Sequence, residues 1–410
     1  MSNTACVIGA GQAGCELALG LRRSGWGGPI VLIGAEPHAP YQRPPLSKGY
    51  LGEKSERSAL DLRQAAAYER SGIELLLGCR VDGIDRAEKV LVLSSGEARR
   101  YSCLALATGG RPKTLTVADS ERVESAGNLF YLRTVDDAER LRARFSPGRR
   151  LVIIGGGYIG LEIAATGIAA GLEVTVLEAM PRVLARVTVP QVSSFYEAVH
   201  REAGVDIRTA VAIRCFDFRD SGEISAVHCA DGTAVPADMV VVGIGLTPNT
   251  EIAEAAGLAV DNGIVVDEFA RTSDVHIVAA GDCANLPSFD GRRIRLESVQ
   301  NAIDQARIAA ATLAGKPQRY RANPWFWSEQ YDLRLQMAGL SAGHDQIVLR
   351  GSPARRSFAM FYLKRGQLLA CDAVNRTPEF AAAKRWITQG CVVDAAVLAD
   401  ESLPLGAAGG

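Results

Sequence analysis

Residues 5–36 read ACVIGAGQAGCELALGLRRSGWGGPIVLIGAE, and residues 151–178 read LVIIGGGYIGLEIAATGIAAGLEVTVLE. The two stretches align at an offset of 146 residues, so that Gly155 falls on Gly9. Each stretch contains an apolar run, a GxGxxG turn, a helical stretch, a second apolar run and a terminal Glu. This order predicts strand, turn, helix and strand, which is the start of a doubly wound α/β domain.

The glycines of each copy have separate physical roles. They are Gly9, Gly11 and Gly14 in the first copy and Gly155, Gly157 and Gly160 in the second. The first glycine permits the tight turn, the second lets a pyrophosphate approach the backbone, and the third lets helix and strand pack closely. The helix N-terminus offers N–H groups to phosphates, and the terminal Glu36 or Glu178 accepts hydrogen bonds from a ribose diol.

Two such units predict two Rossmann-like domains and two dinucleotides. We expect a flavin dinucleotide that is held tightly and a nicotinamide dinucleotide that exchanges. The Glu178 carboxylate would repel a 2′-phosphate, and the next residues, Ala179 to Pro181, include no Arg. This favours NADH over NADPH, although Arg182 and Arg186 lie close by in the sequence.

The composition excludes several other classes of protein. The chain of 410 residues is 48% hydrophobic and 22% charged, which is typical of a globular protein and not of a disordered one. A net charge of −1 argues against nucleic-acid binding. We find no apolar stretch of the length that a membrane span needs and no signal peptide before the first strand, so we expect a cytoplasmic protein.

The nine cysteines are scattered singly, without a CxxC or CxxxxC pair. An odd number without clusters argues against a disulfide framework and against a zinc or iron–sulfur site. We therefore expect no metal, and we expect most of the cysteines to be small buried hydrophobes.

Further segments strengthen the prediction. Apolar strands that end in glycine-rich turns occupy residues 104–112 (LALATGGRP), 240–249 (VVVGIGLTPN) and 275–285 (VHIVAAGDCAN). Distinctive segments lie at residues 40–51 (PYQRPPLSKGYL), 297–306 (ESVQNAIDQA) and 324–340 (PWFWSEQYDLRLQMAGL). With these motifs the chain resembles, over about residues 5–390, the oxygenase-coupled, NADH-dependent ferredoxin reductases, an FAD-containing, putidaredoxin reductase-like family.

The resemblance implies site residues position by position. The residues expected to contact FAD are Gly9, Gly11, Ala13, Gly14, Glu36, Arg43, Lys48, Val81, Arg133, Asp282 and Val299. Those expected to line the NADH site are Gly155, Gly157, Tyr158, Ile159, Gly160, Glu178, Arg186 and Gly245.

Three residues are expected nearer to the chemistry. By resemblance, the Lys48 ammonium lies close to the reactive flavin nitrogen and stabilises negative charge on the reduced ring. Glu162 is expected to face the nicotinamide carboxamide, and Trp327 to lie between the flavin and a docked partner. Glu16 holds the same place in the first repeat as Glu162 does in the second, so a Glu there can equally be a feature of such helices.

The missing cysteines bear on the mechanism. Dithiol members of the superfamily place CxxxxC in the loop after the first βαβ unit, and thiol-dependent oxidases place one Cys there, but residues 36–78 contain none. Dithiol reductases also use a His–Glu pair near the C-terminus. In this sequence the only His after residue 300 is His344, and no Glu adjoins it. We therefore predict that NADH reduces the flavin and that the flavin passes single electrons directly to a [2Fe–2S] ferredoxin. The remaining histidines are given no role: His38, His200, His228 and His276.

The expected partner is an acidic ferredoxin that serves a haem monooxygenase or a Rieske dioxygenase. The candidate docking cations, by analogy with the family, are Arg307, Lys384 and Arg385. Two alternatives stay open: an NADH oxidase or diaphorase-type flavoprotein, and a redox-gated binding flavoprotein. We expect a monomer.

The predicted architecture is glutathione-reductase-like, with two Rossmann-like domains and a C-terminal α/β domain. The FAD-binding domain comprises residues 1–112 and 248–322, and the NADH-binding domain comprises residues 113–247. The C-terminal domain covers residues 323–400, and residues 401–410 are predicted to be a disordered tail.

Overall fold

The computed structural model describes residues 3–117, 119–288 and 292–408. The chain forms two compact units. The first unit comprises Met1–Gln42, Arg57–Arg111 and Thr247–Trp325, and the second comprises Arg43–Glu56, Pro112–Leu246 and Phe326–Gly410.

The described chain combines helix–strand units with runs of consecutive strands. The helices are α1 (Gln12–Arg23), α2 (Ala65–Arg70), α3 (Ser120–Glu124), α4 (Val135–Arg142), α5 (Tyr158–Ala169), α6 (Pro190–Glu202), α7 (Glu251–Ala255), α8 (Val299–Leu313), α9 (Thr377–Gln389) and α10 (Ala395–Ala399). The strands up to residue 208 are β1 (Ala5–Ile8), β2 (Ile30–Ile33), β3 (Ile73–Leu76), β4 (Val81–Asp85), β5 (Val90–Leu93), β6 (Ala98–Arg100), β7 (Cys103–Leu106), β8 (Gly110–Pro112), β9 (Leu129–Tyr131), β10 (Arg150–Ile154), β11 (Glu173–Leu177) and β12 (Asp206–Arg208). The later strands are β13 (Ile213–Phe218), β14 (Ile224–Cys229), β15 (Ala234–Pro236), β16 (Met239–Val242), β17 (Leu246–Pro248), β18 (Ile264–Val265), β19 (Ile277–Ala279), β20 (Ala284–Pro287), β21 (Arg293–Ile294), β22 (Trp325–Gln330), β23 (Leu333–Gly339), β24 (Gln346–Ser352), β25 (Ser357–Lys364) and β26 (Gln367–Val374).

The first unit is built on a parallel sheet of order β19–β7–β1–β2–β3. Side chains of β1 alternate between the two faces of this sheet. Val7 packs into the core cluster that also holds residues of α1 and α8, whereas Cys6 and Ile8 pack into the cluster on the other face. Helices cover one face closely: a Cβ on Gly20 of α1 would lie 2.9 Å from the Cβ of Ala310 in α8.

The second unit contains a parallel sheet and two antiparallel ones, of which the smaller has the order β13–β14–β15. The parallel sheet has the order β12–β11–β10–β16–β9. The later sheet has the order β22–β23–β26–β25–β24, with antiparallel pairing between β23 and β26, β26 and β25, and β25 and β24. The α/β fold class predicted from the two glycine turns is therefore confirmed.

One segment falls in a different unit from the one that the sequence suggests. Residues 43–56, which the prediction assigns to the FAD-binding domain, are grouped with the second unit. The Tyr50 hydroxyl donates a hydrogen bond to the Glu139 carboxylate at 2.6 Å, and the Arg43 guanidinium donates to the Arg133 carbonyl at 2.6 Å. The predicted division into three domains remains a prediction.

Residues 401–408 adopt defined local structure, whereas the sequence predicts a disordered tail over residues 401–410. Residues 405–407 form a 3₁₀ turn and Ala408 is buried. The buried guanidinium of Arg350 donates to carbonyl oxygens of Leu398, Asp400 and Leu403, which fixes the approach to this segment. The small residues of the tail give no indication of these hydrogen bonds from Arg350. Residues 409–410 lie outside the described part. Within that part, we find no helix both long and apolar enough to cross a bilayer.

Candidate active site

The first glycine turn, Gly9 to Gly14, has the close contacts that only glycine allows. Gly9 has a φ of +106°, and a Cβ there would lie 2.1 Å from the Ala107 carbonyl oxygen. A Cβ on Gly14 would lie 1.8 Å from the carbonyl oxygen of Gly9. Gly11, directly before α1, has open space where its Cβ would be. A dinucleotide diphosphate fits such an open helix N-terminus.

Other predicted FAD contacts lie at the same edge of the first parallel sheet. Glu36 follows β2, and its carboxylate accepts a hydrogen bond from the Tyr41 hydroxyl at 2.5 Å. Asp282 follows β19 after Gly281, whose Cβ would lie 3.0 Å from the Cβ of Ala13. Because the carboxyl ends of parallel strands meet at one edge, these residues surround the turn as a nucleotide site requires.

Two predicted contacts sit in other elements of the first unit. Val299 begins α8, just after the Ser298 side chain that accepts a hydrogen bond from the Asn301 N–H. Val81 begins β4, which belongs to a three-stranded antiparallel sheet, and its side chain is buried in the core. Arg43 and Arg133 lie together in the second unit, as described above. Their roles toward FAD stay predictions.

The second glycine turn, Gly155 to Gly160, repeats the geometry of the first. Gly155 has a φ of +111°, and its Cβ would lie 2.4 Å from the Gly243 carbonyl oxygen. A Cβ on Gly160 would lie 2.1 Å from the Gly155 oxygen, whereas the Cβ position of Gly157 is open. This turn likewise fits a dinucleotide diphosphate.

The Glu178 carboxylate is oriented beside the second turn. Its two oxygens accept hydrogen bonds from the backbone N–H groups of Gly156 and Met180, both at 2.7 Å. A carboxylate has about four acceptor sites, so capacity remains for a ribose diol. Arg182, the nearest cation in the sequence, instead donates to the Ser193 hydroxyl and the Ala185 carbonyl, and so holds its own loop. This arrangement supports NADH as the nicotinamide dinucleotide.

The remaining predicted NADH residues border this turn. A Cβ on Gly245 would lie 3.8 Å from Nη2 of Arg186, so these two residues are brought together. Tyr158, the first residue of α5, stacks on Phe326 with a centroid distance of 4.6 Å. Burial raises the pKa of Tyr158 well above 10, so its hydroxyl stays protonated. Ile159 is 42% exposed.

A buried ionic cluster surrounds Glu162, one turn further along α5. The Glu162 side chain is 4% exposed, and its Oε2 lies 2.8 Å from Nζ of Lys48. The same carboxylate accepts hydrogen bonds from the Ser47 hydroxyl at 2.5 Å and from the Ser328 hydroxyl at 2.6 Å. Lys48 also donates to the Pro44 carbonyl at 3.0 Å. The structure therefore brings the two predicted catalytic residues, Lys48 and Glu162, into contact.

Local structure explains how the lysine reaches the carboxylate. Residues 44–47 form a 3₁₀ turn that begins with two prolines. Thr166 lies four residues after Glu162 on the same helix face, and its hydroxyl donates to the Ser47 carbonyl at 3.0 Å. The turn is thus attached to α5 at two points, which positions Lys48.

The sequence did not point to Ser47 or Ser328 as partners of Glu162. They lie 115 and 166 residues away along the chain. Trp327, the third predicted catalytic residue, adjoins Ser328 in β22, and neighbouring side chains of a strand point to opposite faces. The structure therefore brings Ser328, and not Trp327, to Glu162. A signal was present in the alternation of β22, where Phe326, Ser328 and Gln330 share a face.

The cysteines take no part in these clusters. All nine are within the described residues and all are free thiols. Cys15 and Cys283 are fully buried, and burial raises the pKa of both thiols, which makes them unreactive. The described residues contain no group of three or more side chains that could bind a metal ion.

The predicted docking cations lie on helix surfaces. Arg307 of α8 is exposed in the first unit and lies 3.7 Å from Asp304. In the second unit, Arg385 of α9 is exposed, and the Lys384 ammonium lies 5.5 Å from the ring centroid of Phe380.

Comparison with known proteins places this geometry in a family. Residues 3–306 match the family model described as pyridine nucleotide-disulphide oxidoreductase, and residues 325–408 match the model described as reductase C-terminal. The chain belongs to the pyridine nucleotide-disulphide oxidoreductase family. As a member of this family, it is an enzyme, an oxidoreductase, and its cofactors are FAD and NADH, as predicted.

Relatives within the family narrow the comparison. The chain is 52% identical over 402 residues to putidaredoxin reductase of Pseudomonas putida, covering 97% of this chain and 95% of the relative. It is 45% identical to rhodocoxin reductase of Rhodococcus erythropolis, covering 92% and 88%. The crystal structure of the covalent putidaredoxin reductase–putidaredoxin complex matches with a TM-score of 0.96 and 50% identity, covering 98% of this chain and 97% of the other. The resemblance stated from the motifs is confirmed.

Proposed function

We propose that this chain is the NADH-dependent reductase of an oxygenase system and that it passes electrons one at a time to a small [2Fe–2S] ferredoxin. One observation carries the proposal: 52% identity over nearly the whole of both chains to a reductase named for such a carrier. The absence of cysteine from residues 36–78 supports direct transfer, since no thiol pair stands after the first βαβ unit.

The residues of the chain would divide the work. The first glycine turn and Glu36 would hold FAD, and the second glycine turn and Glu178 would hold NADH. Bound FAD supplies the chemistry, accepting a hydride and releasing single electrons. The contribution of the protein is to orient the rings and set the local charge.

Within that division, we assign charge control to the ion pair. The Lys48 ammonium would stabilise negative charge on the reduced ring, as the family resemblance implies. Glu162, ion-paired with Lys48 at 2.8 Å, would orient the nicotinamide carboxamide. A buried pair of this kind brings opposite charges into contact without adding net charge to the protein interior.

An assay with purified carriers tests the function. NADH, the FAD-loaded protein and a panel of [2Fe–2S] ferredoxins are mixed without oxygen, and ferredoxin bleaching is followed. We expect rapid reduction of at least one putidaredoxin-like ferredoxin. Rapid NADH oxidation by oxygen, unchanged by every ferredoxin, would instead indicate an NADH oxidase. A slow, long-lived charge-transfer complex without turnover would indicate a redox-gated binding protein.

Docking of an acidic ferredoxin to Arg307, Lys384 and Arg385 is part of the proposal. Attraction between opposite charges steers association and weakens with salt. We expect kcat/KM for the ferredoxin to fall as ionic strength rises, and a flat salt profile would exclude this docking mode. We also propose a cytoplasmic location, since NADH is the donor and ferredoxin the acceptor.

A further inference from the structure

A hydrogen-bond chain of polar side chains leads from Glu162 to the surface of the second unit. Ser328 Oγ is 2.6 Å from the carboxylate, and Gln330 Nε2 is 3.1 Å from Ser328 Oγ. Gln330 Oε1 is 2.8 Å from His200 Nε2, and the Tyr331 hydroxyl is 3.0 Å from His200 Nδ1. Glu162, Ser328, Gln330 and His200 are buried, whereas Tyr331 is 38% exposed.

Each hydrogen bond in this hydrogen-bond chain has one possible direction. A carboxylate can only accept, so Ser328 donates to Glu162 and must accept from the Gln330 amide N–H. The Gln330 carbonyl oxygen then faces His200, so His200 carries its hydrogen on Nε2 and accepts at Nδ1. The Tyr331 hydroxyl is the last member of the hydrogen-bond chain and donates to Nδ1 of His200. All four donors therefore point toward Glu162.

The state of the two rings agrees with that direction. Burial lowers the pKa of His200 from 6.5, which favours the neutral imidazole that can accept at Nδ1. Burial raises the pKa of Tyr331, which keeps its hydroxyl a donor. Tyr331 also has a φ of +56°, which a bulky residue rarely adopts, and its ring meets His200 edge-on at 5.0 Å.

We propose that Ser328, Gln330, His200 and Tyr331 are positioning residues, which fix the Glu162 carboxylate for the nicotinamide by a one-directional hydrogen-bond chain. The inference rests on the proposed role of Glu162. Aligned hydrogen bonds in a buried site polarise one another. The hydrogen-bond chain therefore presents an oriented dipole to one oxygen of the Glu162 carboxylate. Lys48 and Ser47 bind the other oxygen.

The hydrogen-bond chain does not conduct protons, because the Gln330 amide does not readily give up a proton. Its effect is on the charge and orientation of Glu162. The groups that face this carboxylate from the elements around it are the Lys48 ammonium and two phenols, Tyr158 of α5 and Tyr196 of α6. Burial raises the pKa of both phenols, so they stay neutral.

The direction of the chain is tested by nuclear magnetic resonance. FAD-loaded protein is labelled with ¹⁵N at its histidines, and the His200 signals are assigned by comparison with H200Q. We expect a neutral ring with hydrogen on Nε2 at about pH 7 to about pH 8. A ring with hydrogen on Nδ1, or a charged ring at neutral pH, overturns the proposal. This measurement needs neither NADH nor a ferredoxin, so it can be interpreted even if the proposed function fails.

The effect on Glu162 is tested by flavin reduction in a single turnover with NADH. S328A removes one donor from the carboxylate, and we expect the rate constant to fall about tenfold near pH 7. Adding S328A to E162Q should slow the reaction by less than about twofold further, since Ser328 acts through the Glu162 carboxylate. T312A is the matched control, because Thr312 also loses a buried hydroxyl bond, to the Phe269 carbonyl, in another part of the chain.

The outcomes separate positioning from stability. No loss in S328A, an equal loss in T312A, or a further loss of about tenfold when S328A is added to E162Q overturns the proposal. Y331F serves if S328A does not fold, because it keeps the ring and removes only the outermost donor. We expect Y331F to slow flavin reduction about twofold to threefold with an unchanged melting temperature, and a wild-type rate in Y331F counts against the chain.

Discussion

Glu16 and Glu162 occupy equivalent places in the two βαβ repeats, yet their surroundings differ. Glu16 meets Arg23 and Arg63, both at 3.3 Å and both about half exposed. Glu162 meets a largely buried Lys48 at 2.8 Å and two serine hydroxyls. The glycine turns that precede these residues have the same close contacts. The repeat thus reproduces the nucleotide cradle, and the partners brought from elsewhere in the chain distinguish the two helices.

The largest expected effect tests the part that the repeats share. Gly14→Ala would place a Cβ 1.8 Å from the Gly9 oxygen, and Gly160→Ala would place one 2.1 Å from the Gly155 oxygen. Forcing a methyl group against backbone costs roughly 1–3 kcal/mol or more. We expect G14A to lose FAD, as measured by the ratio of flavin to protein absorbance.

Gly11→Ala is the matched control for G14A, since its Cβ would meet no atom within 4 Å. We expect G11A to fold with normal helix content and to bind FAD more weakly, because the methyl group enters the open space at the helix N-terminus. Equal flavin content in G14A and wild type would contradict the account of the turn.

A smaller effect tests the difference between the two glutamates. Glu162→Gln leaves the Lys48 ammonium, 16% exposed, without its counter-ion, whereas Glu16→Gln removes the charge of a buried carboxylate whose two arginine partners are about half exposed. We expect E162Q to slow flavin reduction by NADH about a hundredfold. E16Q should stay within about twofold, since ion pairs with such solvent-exposed arginines contribute little. Stopped-flow absorbance measures both, and equal rates in the two variants would mean that the repeat alone sets the role of this position.

The last expected effect concerns stability and a buried carboxyl whose hydrogen-bond partners, among the described residues, are hydroxyls. Asp372 accepts hydrogen bonds from the Thr188 and Tyr362 hydroxyls, and burial raises its pKa from 3.8 to about 6. Its contribution to stability is therefore complete below about pH 4 and is lost as the pH rises through 6. We expect the stability of Asp372→Asn relative to wild type to increase by up to about 3 kcal/mol between pH 4 and pH 7.

Urea unfolding of D372N and wild type at several pH values measures this difference. A difference that does not change with pH would show that Asp372 stays ionised or protonated throughout. Because Glu162 has an ammonium partner and Asp372 has only hydroxyls, the result also shows what the ammonium adds to a buried carboxylate.

The sequence predicts best what lies close together along the chain. The turns, the strands that flank them, Glu36 and Glu178 all fall within one repeat, so short spacing identifies them. The partners of Glu162 come from 115 and 166 residues away, and no local pattern connects them. The hydrogen bonds that hold the C-terminal segment likewise have no local signal, because Arg350 lies about 50 residues from the carbonyls that it binds. His200 lies 130 and 131 residues from Gln330 and Tyr331, the partners of its two ring nitrogens, so no local pattern connects these residues.

Anaerobic titration of the FAD-loaded protein with NADH tests most directly whether electrons bypass thiols. With no cysteine in residues 36–78 and all nine cysteines present as separate free thiols, FAD is the only two-electron acceptor expected. We predict complete flavin bleaching with about one NADH per FAD and no further uptake. Uptake of about two NADH per FAD, the second consumed by a disulfide, would contradict the account, since a disulfide takes two more electrons.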